Sequence, residues 1–200
     1  MPDALTDRRS PVFAVWLIVA GAIGWWAAFS LTLEKFHALT NPGEGASCDF
    51  SVLVQCSANL ASPQGSAFGF PNPLLGLACW VAPIVVGVAL LAGARFARWF
   101  WLLFWAGFAF AIVFVGWLIS QSIYELGTLC PWCLVTWSVT IPSFFAVTLH
   151  VLRIGAVPVS ERVQDIADTL MGWVPVMTVA AYAIIAVLAQ LRLDVLGSLF

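Results

Sequence analysis

The sequence predicts an all-α integral membrane protein, and three observations support this fold class. Of the 200 residues, 62% are hydrophobic and only 9% are charged, and the charges leave long stretches of chain uncharged. A soluble domain has roughly 45–50% apolar and about 25% charged residues, so the 8 basic and 10 acidic side chains here are too few to cover a soluble surface. The net charge of −2 also lacks the basic excess typical of nucleic-acid binding. We therefore expect membrane lipid, and no nucleic acid, around this chain.

Five windows of the chain contain no Asp, Glu, Lys or Arg. A membrane-spanning helix needs about 20 mostly apolar residues at about 1.5 Å per residue, and each window supplies one such stretch. The expected spans are residues 11–33, 74–94, 99–122, 131–152 and 172–191. Residues 34–73 are expected to form a loop, because the part from Ser51 to Pro73 is rich in Ser, Gly, Asn, Gln and Pro. The chain, residues 1–200, is then a single membrane domain.

The basic residues predict the orientation, because cytoplasmic segments of membrane proteins carry an excess of Lys and Arg. With a cytoplasmic N-terminus, only Lys35 and Arg192 fall outside. The residues that fall inside are Arg8, Arg9, Arg95, Arg98, Arg153 and Arg162. We therefore expect a multi-pass protein of the plasma or inner membrane, with loop 34–73 on the extracytoplasmic side. The first span exceeds the roughly 7–15 apolar residues of a signal peptide core, so we expect it to be retained.

Four of the five cysteines fall on the predicted outer side. Cys48 and Cys56 lie in the long loop, and Cys130 and Cys133 lie where the fourth span begins. Cys79 lies inside a span, where a free cysteine commonly behaves as a small buried hydrophobe. An even number of outward cysteines suits an oxidising compartment, in which disulfides persist. The chemistry of this chain is therefore expected at the four outer cysteines.

The segment Cys130-Pro131-Trp132-Cys133 is a CxxC motif that opens a helix. Proline suits the first helical turn, because its missing N–H has no partner there anyway. With Cys130 near the N-cap, Cys133 lies about one turn into the helix, and the two sulfurs can pair. The partial positive charge at a helix N-terminus lowers the pKa of a thiol and favours the nucleophilic thiolate. This pair is placed to exchange electrons with a compound dissolved in the bilayer.

Cys48 and Cys56 are separated by seven residues in a segment flanked by Pro and Gly. Such a loop can move, and a mobile pair of thiols can relay electrons to the CxxC motif by thiol–disulfide exchange. Two alternatives stay open, since the pair can also staple the loop, and four cysteines can bind zinc. The spacing fits a zinc hairpin poorly, and His37 and His150 are isolated, so we expect no metal.

These cysteines form part of an ordered set of motifs. After Cys48-x7-Cys56 come Ser62, the stretch Phe68-Gly69-Phe70-Pro71-Asn72, Gly76, and finally the CxxC motif at the start of a later helix. In this order and spacing, over roughly residues 10–155, the chain resembles bacterial members of the vitamin K epoxide reductase family. The resemblance implies a four-helix bundle around a quinone, with a fifth transmembrane helix outside it.

The resemblance also implies a role for each cysteine. Cys133 would face the quinone, Cys130 would be its partner, Cys56 would pass electrons to Cys130, and Cys48 would be approached by an external redox protein. The quinone, whether menaquinone, ubiquinone or vitamin K, would be the electron-accepting substrate. The net reaction would be disulfide bond formation in exported proteins. The alternative from the residues alone is a non-redox membrane protein with structural disulfides or a zinc site.

Four further residues are expected at the quinone. Asn72 would donate a hydrogen bond to a quinone carbonyl, although it also suits a helix N-cap before Pro73. Ser62 would play a supporting role, and Phe70 belongs to the same motif. Trp137 stands four residues after the CxxC motif, where vertebrate members carry a tyrosine, and its indole N–H can donate a hydrogen bond.

Many bacterial members carry a fused thioredoxin-like domain. Here only nine residues follow Leu191. The expected partner is therefore a separate thioredoxin-fold protein resembling a disulfide oxidase.

Overall fold

The computed structural model describes residues 11–41, 43–194 and 197, so Arg8 and Arg9, two of the six arginines predicted on the cytoplasmic side, lie outside the described residues. The described part of the chain is mostly helical. Its α-helices are α1 (Pro11–Thr40), α2 (Ser57–Ala61), α3 (Pro73–Cys79), α4 (Val81–Leu91), α5 (Arg98–Ser120), α6 (Pro131–Arg153), α7 (Glu161–Met171) and α8 (Val174–Leu193). A 3₁₀ turn covers Pro63–Ser66, and α5 continues into a π-helical turn over Gln121–Leu126.

Five helical segments are long and apolar enough to cross a membrane. They are Pro11–Thr40, Pro73–Leu91, Arg98–Leu126, Pro131–Arg153 and Val174–Leu193. The five predicted spans and the all-α membrane fold are thereby confirmed.

The expectation that residues 34–73 form a loop is wrong at both ends of this segment. It is also wrong over Ser57–Ala61 and Pro63–Ser66, which are helical. Residues 34–40 continue α1, and α3 begins at Pro73. Charged residues do not end α1, because Glu and Lys are good helix formers and both side chains find partners. The Glu34 carboxylate accepts hydrogen bonds from the N–H and the hydroxyl of Ser47, and Lys35 Nζ donates to the Leu60 carbonyl at 2.6 Å.

The centre of the bundle is α1, which packs against α3, α4 and α6, while α5 packs against α6. Glycines let the helix backbones approach closely, as is common between membrane helices. A Cβ at Gly87 of α4 would lie 2.6 Å from the Ala14 carbonyl oxygen of α1, and one at Gly21 would lie 2.6 Å from Ile84 Cγ1. The α1–α4 contact therefore depends on these small residues.

The second span is interrupted at Trp80, between α3 and α4. Pro83 has no N–H to donate to the carbonyl of Cys79 four residues earlier, which accounts for the interruption at this point. The Trp80 side chain is buried and lies against Gly24 of α1, with its ring 6.4 Å from that of Phe108 on α5. The indole thus fills the bundle interior where the helix is broken.

The helices α7 and α8 lie outside this core. The surface helix α7 packs against the end of α6, where Arg153 pairs with Asp168 at 3.4 Å. On α8, Tyr182 donates a hydrogen bond to the Ser138 carbonyl, and Ala189 packs with Ile123 and Leu129. The fifth span therefore braces α6 and the π-helical turn from outside the other four.

Candidate active site

The four cysteines that the sequence predicts on the outer side meet in one cluster. Cys48 and Cys56 form a disulfide with their Cα atoms 5.7 Å apart. The Sγ of Cys130 lies 3.5 Å from the Sγ of Cys56, and it accepts a hydrogen bond from the Cys133 N–H at 3.4 Å. Cys130 and Cys133 are free thiols. The sulfurs thus follow one another in space in the order Cys48, Cys56, Cys130, Cys133.

The CxxC motif has the local geometry that its sequence predicts. Cys130 is the N-cap of α6 in an extended conformation (φ −88°, ψ 121°), and Pro131 is the first helical residue. The pKa of the Cys130 thiol lies below its ordinary value, because a hydrogen bond with the Cys133 side chain outweighs the opposing effect of burial, with help from the N–H groups of Cys133 and Trp132. The Cys133 side chain, with help from the N–H groups of the first helical turn, therefore favours the thiolate form of Cys130.

Asp49 organises the loop disulfide, and the sequence analysis missed it. Its carboxylate accepts hydrogen bonds from the N–H groups of Cys56 (2.7 Å), Ser57 (3.0 Å) and Ala46 (3.0 Å) and from the Ser57 hydroxyl (2.5 Å). Burial raises the pKa of this carboxyl, but these four hydrogen bonds together bring it below its ordinary value. The sequence does contain a signal for this arrangement, because an acidic residue follows Cys48 directly and a serine follows Cys56 directly.

The Cys48–Cys56 disulfide is less exposed than the sequence predicts, since the sequence predicts a mobile loop. Cys48 is 4% exposed and Cys56 is fully buried. Their loop is tied to the segment before the CxxC motif by a parallel backbone bridge, in which Leu129 N–H donates to the Leu53 carbonyl at 2.8 Å and Gln55 N–H donates to the Leu129 carbonyl at 3.1 Å. This bridge brings Cys56 beside Cys130.

A cavity of about 400 Å³ lies against the cysteines, and Cys130 and Cys133 form part of its wall. Its volume is typical of pockets that bind small organic molecules. The wall includes residues of α1, α3, α4, α5 and α6 and is mostly apolar. Its polar side chains besides the cysteines are Asn59, Ser62, Gln64, Asn72, Gln121, Ser122, Thr136 and Thr140, together with the indoles of Trp80 and Trp137.

Three of the four additional residues expected at the quinone line this cavity: Ser62, Asn72 and the buried Trp137. Phe70 is not among the lining residues. It contacts Phe68 with ring centroids 6.4 Å apart, and the ring of Phe68 packs in turn on that of Phe114, which does line the cavity. Phe70 therefore contacts the cavity wall only indirectly, through the ring of Phe68.

Asn72 and Ser62 both hold the loop that closes the cavity. Asn72 Nδ2 donates to the Gln64 carbonyl at 2.6 Å, and its Oδ1 accepts from the Ala67 N–H at 3.0 Å. Asn72 occupies the N-cap position of α3, but its side chain makes no capping hydrogen bond there. The Ser62 hydroxyl accepts from the Gly65 N–H and donates to the Asn59 carbonyl.

The expectation for Cys79 is wrong. Its thiol is free and the residue is exposed, and it lines the cavity rather than filling a packed interior. The reason lies in the broken second span, because the short helix α3 forms part of the cavity wall immediately before Trp80.

Metal binding has little support in this state of the cysteines. Ligand atoms of Cys48, Asp49 and Cys56 lie within 4.8 Å of one another. The two sulfurs are bonded to each other, however, and the thiolate is the form of cysteine that binds metal. The Asp49 carboxylate is also already engaged by four hydrogen bonds.

The comparisons with known proteins gave one match. The model of the Vitamin K epoxide reductase family matches residues 15–148, a segment that holds all five cysteines. Neither the curated proteins nor the solved structures yielded a match. The family match covers more than half of the chain and includes most of each of the four spans that enclose the cavity. The chain therefore belongs to the vitamin K epoxide reductase family and is a multi-pass membrane oxidoreductase.

Proposed function

We propose that this protein is a quinone-dependent thiol–disulfide oxidoreductase that drives disulfide formation in exported proteins. It takes electrons from a separate, reduced thioredoxin-fold protein and passes them to a membrane quinone. The observation that carries the proposal is the distance of 3.5 Å between Cys56 Sγ and Cys130 Sγ, which joins the two cysteine pairs into one path. That path ends at a cavity of about 400 Å³ with Cys133 in its wall.

The first step is reduction of the loop disulfide. A thiolate of the partner attacks Cys48 Sγ, the Cys48–Cys56 bond breaks, and Cys56 leaves as a thiolate. Cys48 is 4% exposed, so the partner must displace the neighbouring loop to reach it. Ser47 is fastened to the Glu34 carboxylate of α1, which makes this contact part of the barrier to entry.

The second step moves the electrons to the CxxC motif. The Cys56 thiolate attacks Cys130 Sγ in a Cys130–Cys133 disulfide, and Cys133 leaves as a thiolate. The second thiol of the partner then frees Cys48, which attacks Cys56 and releases Cys130. After Cys133 has taken up a proton, its thiol can donate a hydrogen bond to Cys130, which lowers the pKa of Cys130 and makes it a better leaving group. A closed loop disulfide beside two free thiols is the state expected after this step.

The last step reduces the quinone. The two thiols of the CxxC motif supply two electrons and two protons, so that quinone becomes quinol and the Cys130–Cys133 disulfide forms again. The apolar wall suits the ring of menaquinone, ubiquinone or vitamin K. Asn72 uses one of its two amide hydrogens on the Gln64 carbonyl, which leaves the other for a quinone oxygen, and Trp137 supplies an indole N–H.

We place the cysteines on the extracytoplasmic side of the plasma or inner membrane. Arg98 begins α5 and Arg153 ends α6, whereas Cys130 precedes the first residue of α6. The cysteine cluster and these arginines therefore lie at opposite ends of the spans, and the positive-inside rule assigns the arginine end to the cytoplasm.

Quinone reduction by the purified protein tests the proposal. With a dithiol reductant as electron source, we expect Cys133→Ala to abolish quinol formation, because the sulfur at the cavity is lost. Thr40→Ala, an exposed change at the end of α1, is the control and should keep wild-type activity. Equal activity in Cys133→Ala and wild type, or no activity in either, would contradict the proposal and favour structural disulfides or a zinc site.

A further inference from the structure

In the proposed relay, Cys56 Sγ attacks Cys130 Sγ. These two sulfurs are 74 positions apart in the chain and must stay in contact. Asn59 lies on α2, three residues after Cys56, and its carboxamide reaches across to the other cysteine segment. Its Nδ2 donates a hydrogen bond to Thr128 Oγ1 at 3.0 Å, and its Oδ1 accepts one from the Ser122 hydroxyl at 3.1 Å. Both ends of one amide therefore join the Cys56 segment to the residues that precede Cys130.

The two hydrogen-bond partners of Asn59 are buried and are hydrogen-bonded to each other. Ser122 and Thr128 are 3% and 6% exposed, and the Thr128 N–H donates to the Ser122 carbonyl at 3.2 Å. Thr128 stands two residues before Cys130, and Ser122 belongs to the π-helical turn that ends α5. Because Asn59 lies three residues after Cys56, a shift of Asn59 away from Ser122 and Thr128 would also move Cys56 away from Cys130.

The connection from Asn59 back to Cys56 is short. The helix α2 has five residues, too few to be stable alone, so its position depends on what holds it. The Leu60 N–H donates to the Cys56 carbonyl at 2.9 Å, and Lys35 Nζ on α1 donates to the Leu60 carbonyl at 2.6 Å. The backbone bridge at Leu129 holds the chain before Cys56, and Asn59 holds the chain after it.

We propose that Asn59 is a positioning residue that keeps Cys56 Sγ within attacking distance of Cys130 Sγ, an inference that rests on the proposed function. In the step it serves, the Cys56–Cys130 bond forms, the Cys130–Cys133 bond breaks, and Cys133 leaves as a thiolate. The electrons come from the reduced thioredoxin-fold partner and end on the quinone. Asn59 touches neither sulfur in this step and exchanges no proton.

The test isolates the contact between the two sulfurs from quinone chemistry. In a Cys48→Ala/Cys79→Ala/Cys133→Ala background, Cys56 and Cys130 are the two cysteines that the chain keeps. The equilibrium constant of their disulfide against dithiothreitol, measured in detergent without quinone, reports how well the fold holds them together. Adding Asn59→Ala should shift it about tenfold toward the thiols, because two hydrogen bonds are lost.

Two further variants make the result specific. Thr128→Val keeps the side-chain shape, removes the hydroxyl and should shift the constant in the same direction, and combining it with Asn59→Ala should add nothing, because both remove the same bond. Asn41→Ala is the matched control, since among the described residues its amide donates to the His37 carbonyl and the Thr40 hydroxyl, both at the exposed end of α1. If Asn59→Ala fails to fold, Thr128→Val carries the test.

The outcomes separate this inference from the proposed function. If Cys56 and Cys130 form no disulfide even with Asn59 present, the proposed relay is wrong. An unchanged equilibrium constant in both Asn59→Ala and Thr128→Val overturns the role of Asn59 and leaves the relay intact. In the protein with all its cysteines, Asn59→Ala should lower kcat for quinone reduction and leave KM for quinone unchanged, and a raised KM alone would make Asn59 part of the quinone site instead.

Discussion

At the scale of single residues, Asp49 decides how the loop disulfide is presented. Its carboxylate binds the backbone on both sides of the disulfide, at Ala46 and at Cys56 with Ser57. The loop therefore opens only when these hydrogen bonds break, and they act on the bond that the redox partner is proposed to attack. Asp49 thus protects the disulfide by holding the backbone around it.

Asp49→Asn should make the loop disulfide easier to reduce. In asparagine an NH₂ group replaces one of the two acceptor oxygens, and this donor would face the N–H and O–H donors that now bind Asp49. We therefore expect dithiothreitol to reduce Cys48–Cys56 about fivefold faster, which corresponds to a loss of about 1 kcal/mol of hydrogen bonding. Thiol release over time measures the rate. Asp165→Asn, an exposed change on α7, should leave the rate unchanged, and the same rate in Asp49→Asn and wild type would show that the carboxylate does not hold the loop.

The same carboxylate predicts a pH dependence with a defined sign. Its pKa is lowered in the folded loop, so the ionised form stabilises the loop. This stabilisation is complete above the ordinary carboxyl pKa of about 3.9 and is lost as the pH falls through the lower pKa of the folded state. With a phosphine reductant, the wild-type loop should lose its protection in that acidic window, and Asp49→Asn should show no such change.

At the scale of elements, the broken second span shapes the cavity. Trp80 fits between α1 and α5 because Gly24 leaves room for its indole. A Cβ on Gly24 would lie 2.2 Å from Trp80 Cε2, whereas one on Gly116 of α5 would meet nothing within 4 Å. The packing of one ring therefore links the helix break to the wall of the site.

Gly24→Ala should displace Trp80 and destabilise the bundle. Overpacking of this kind costs about 1–3 kcal/mol, which thermal unfolding in detergent will show as a lowered Tm. Gly116→Ala is the matched control, and it should be neutral or slightly stabilising, since alanine is the better helix former. Equal Tm values for the two variants would mean that the Trp80 ring shifts without cost.

At the scale of the whole molecule, four spans enclose the cavity and a fifth supports them. Ala28 of α1, Gly76 of α3, Phe108 of α5 and Thr136 of α6 all contribute to its wall, and no described lining residue belongs to α8. The four-helix bundle with an outer fifth helix is thus confirmed as an architecture. The cysteines lie where this bundle meets the loop region, between the proposed aqueous partner and the proposed quinone.

The proposed orientation predicts which residues a membrane-impermeant maleimide reaches in intact cells. Val52→Cys, at a loop position that is 89% exposed, should be labelled from outside. Glu161→Cys, at the start of α7, should react only after the cells are permeabilised, because α7 follows the arginine end of α6. The opposite labelling pattern would invert the topology and place the cysteines in the cytoplasm.

Much of this architecture was predictable from the chain alone. An uncharged apolar stretch needs no knowledge of its neighbours to be recognised as a span, because the bilayer acts on each segment separately. The start of α6 was predictable for the same reason, since Pro131 after Cys130 is a local signal. The continuation of α1 to Thr40 was not, because it depends on Ser47 and Leu60 as partners for Glu34 and Lys35.

The sequence by itself determined the five apolar helices that are long enough to cross a membrane and the ordered cysteine motifs of the family, because span length and motif order are properties of short segments. Only the tertiary structure decided which sulfurs touch, which hydrogen bonds Asp49 and Asn59 make beside them, and that Cys79 lines a cavity. These contacts join residues far apart in the chain, and their energies depend on burial and on partner geometry that no local pattern contains.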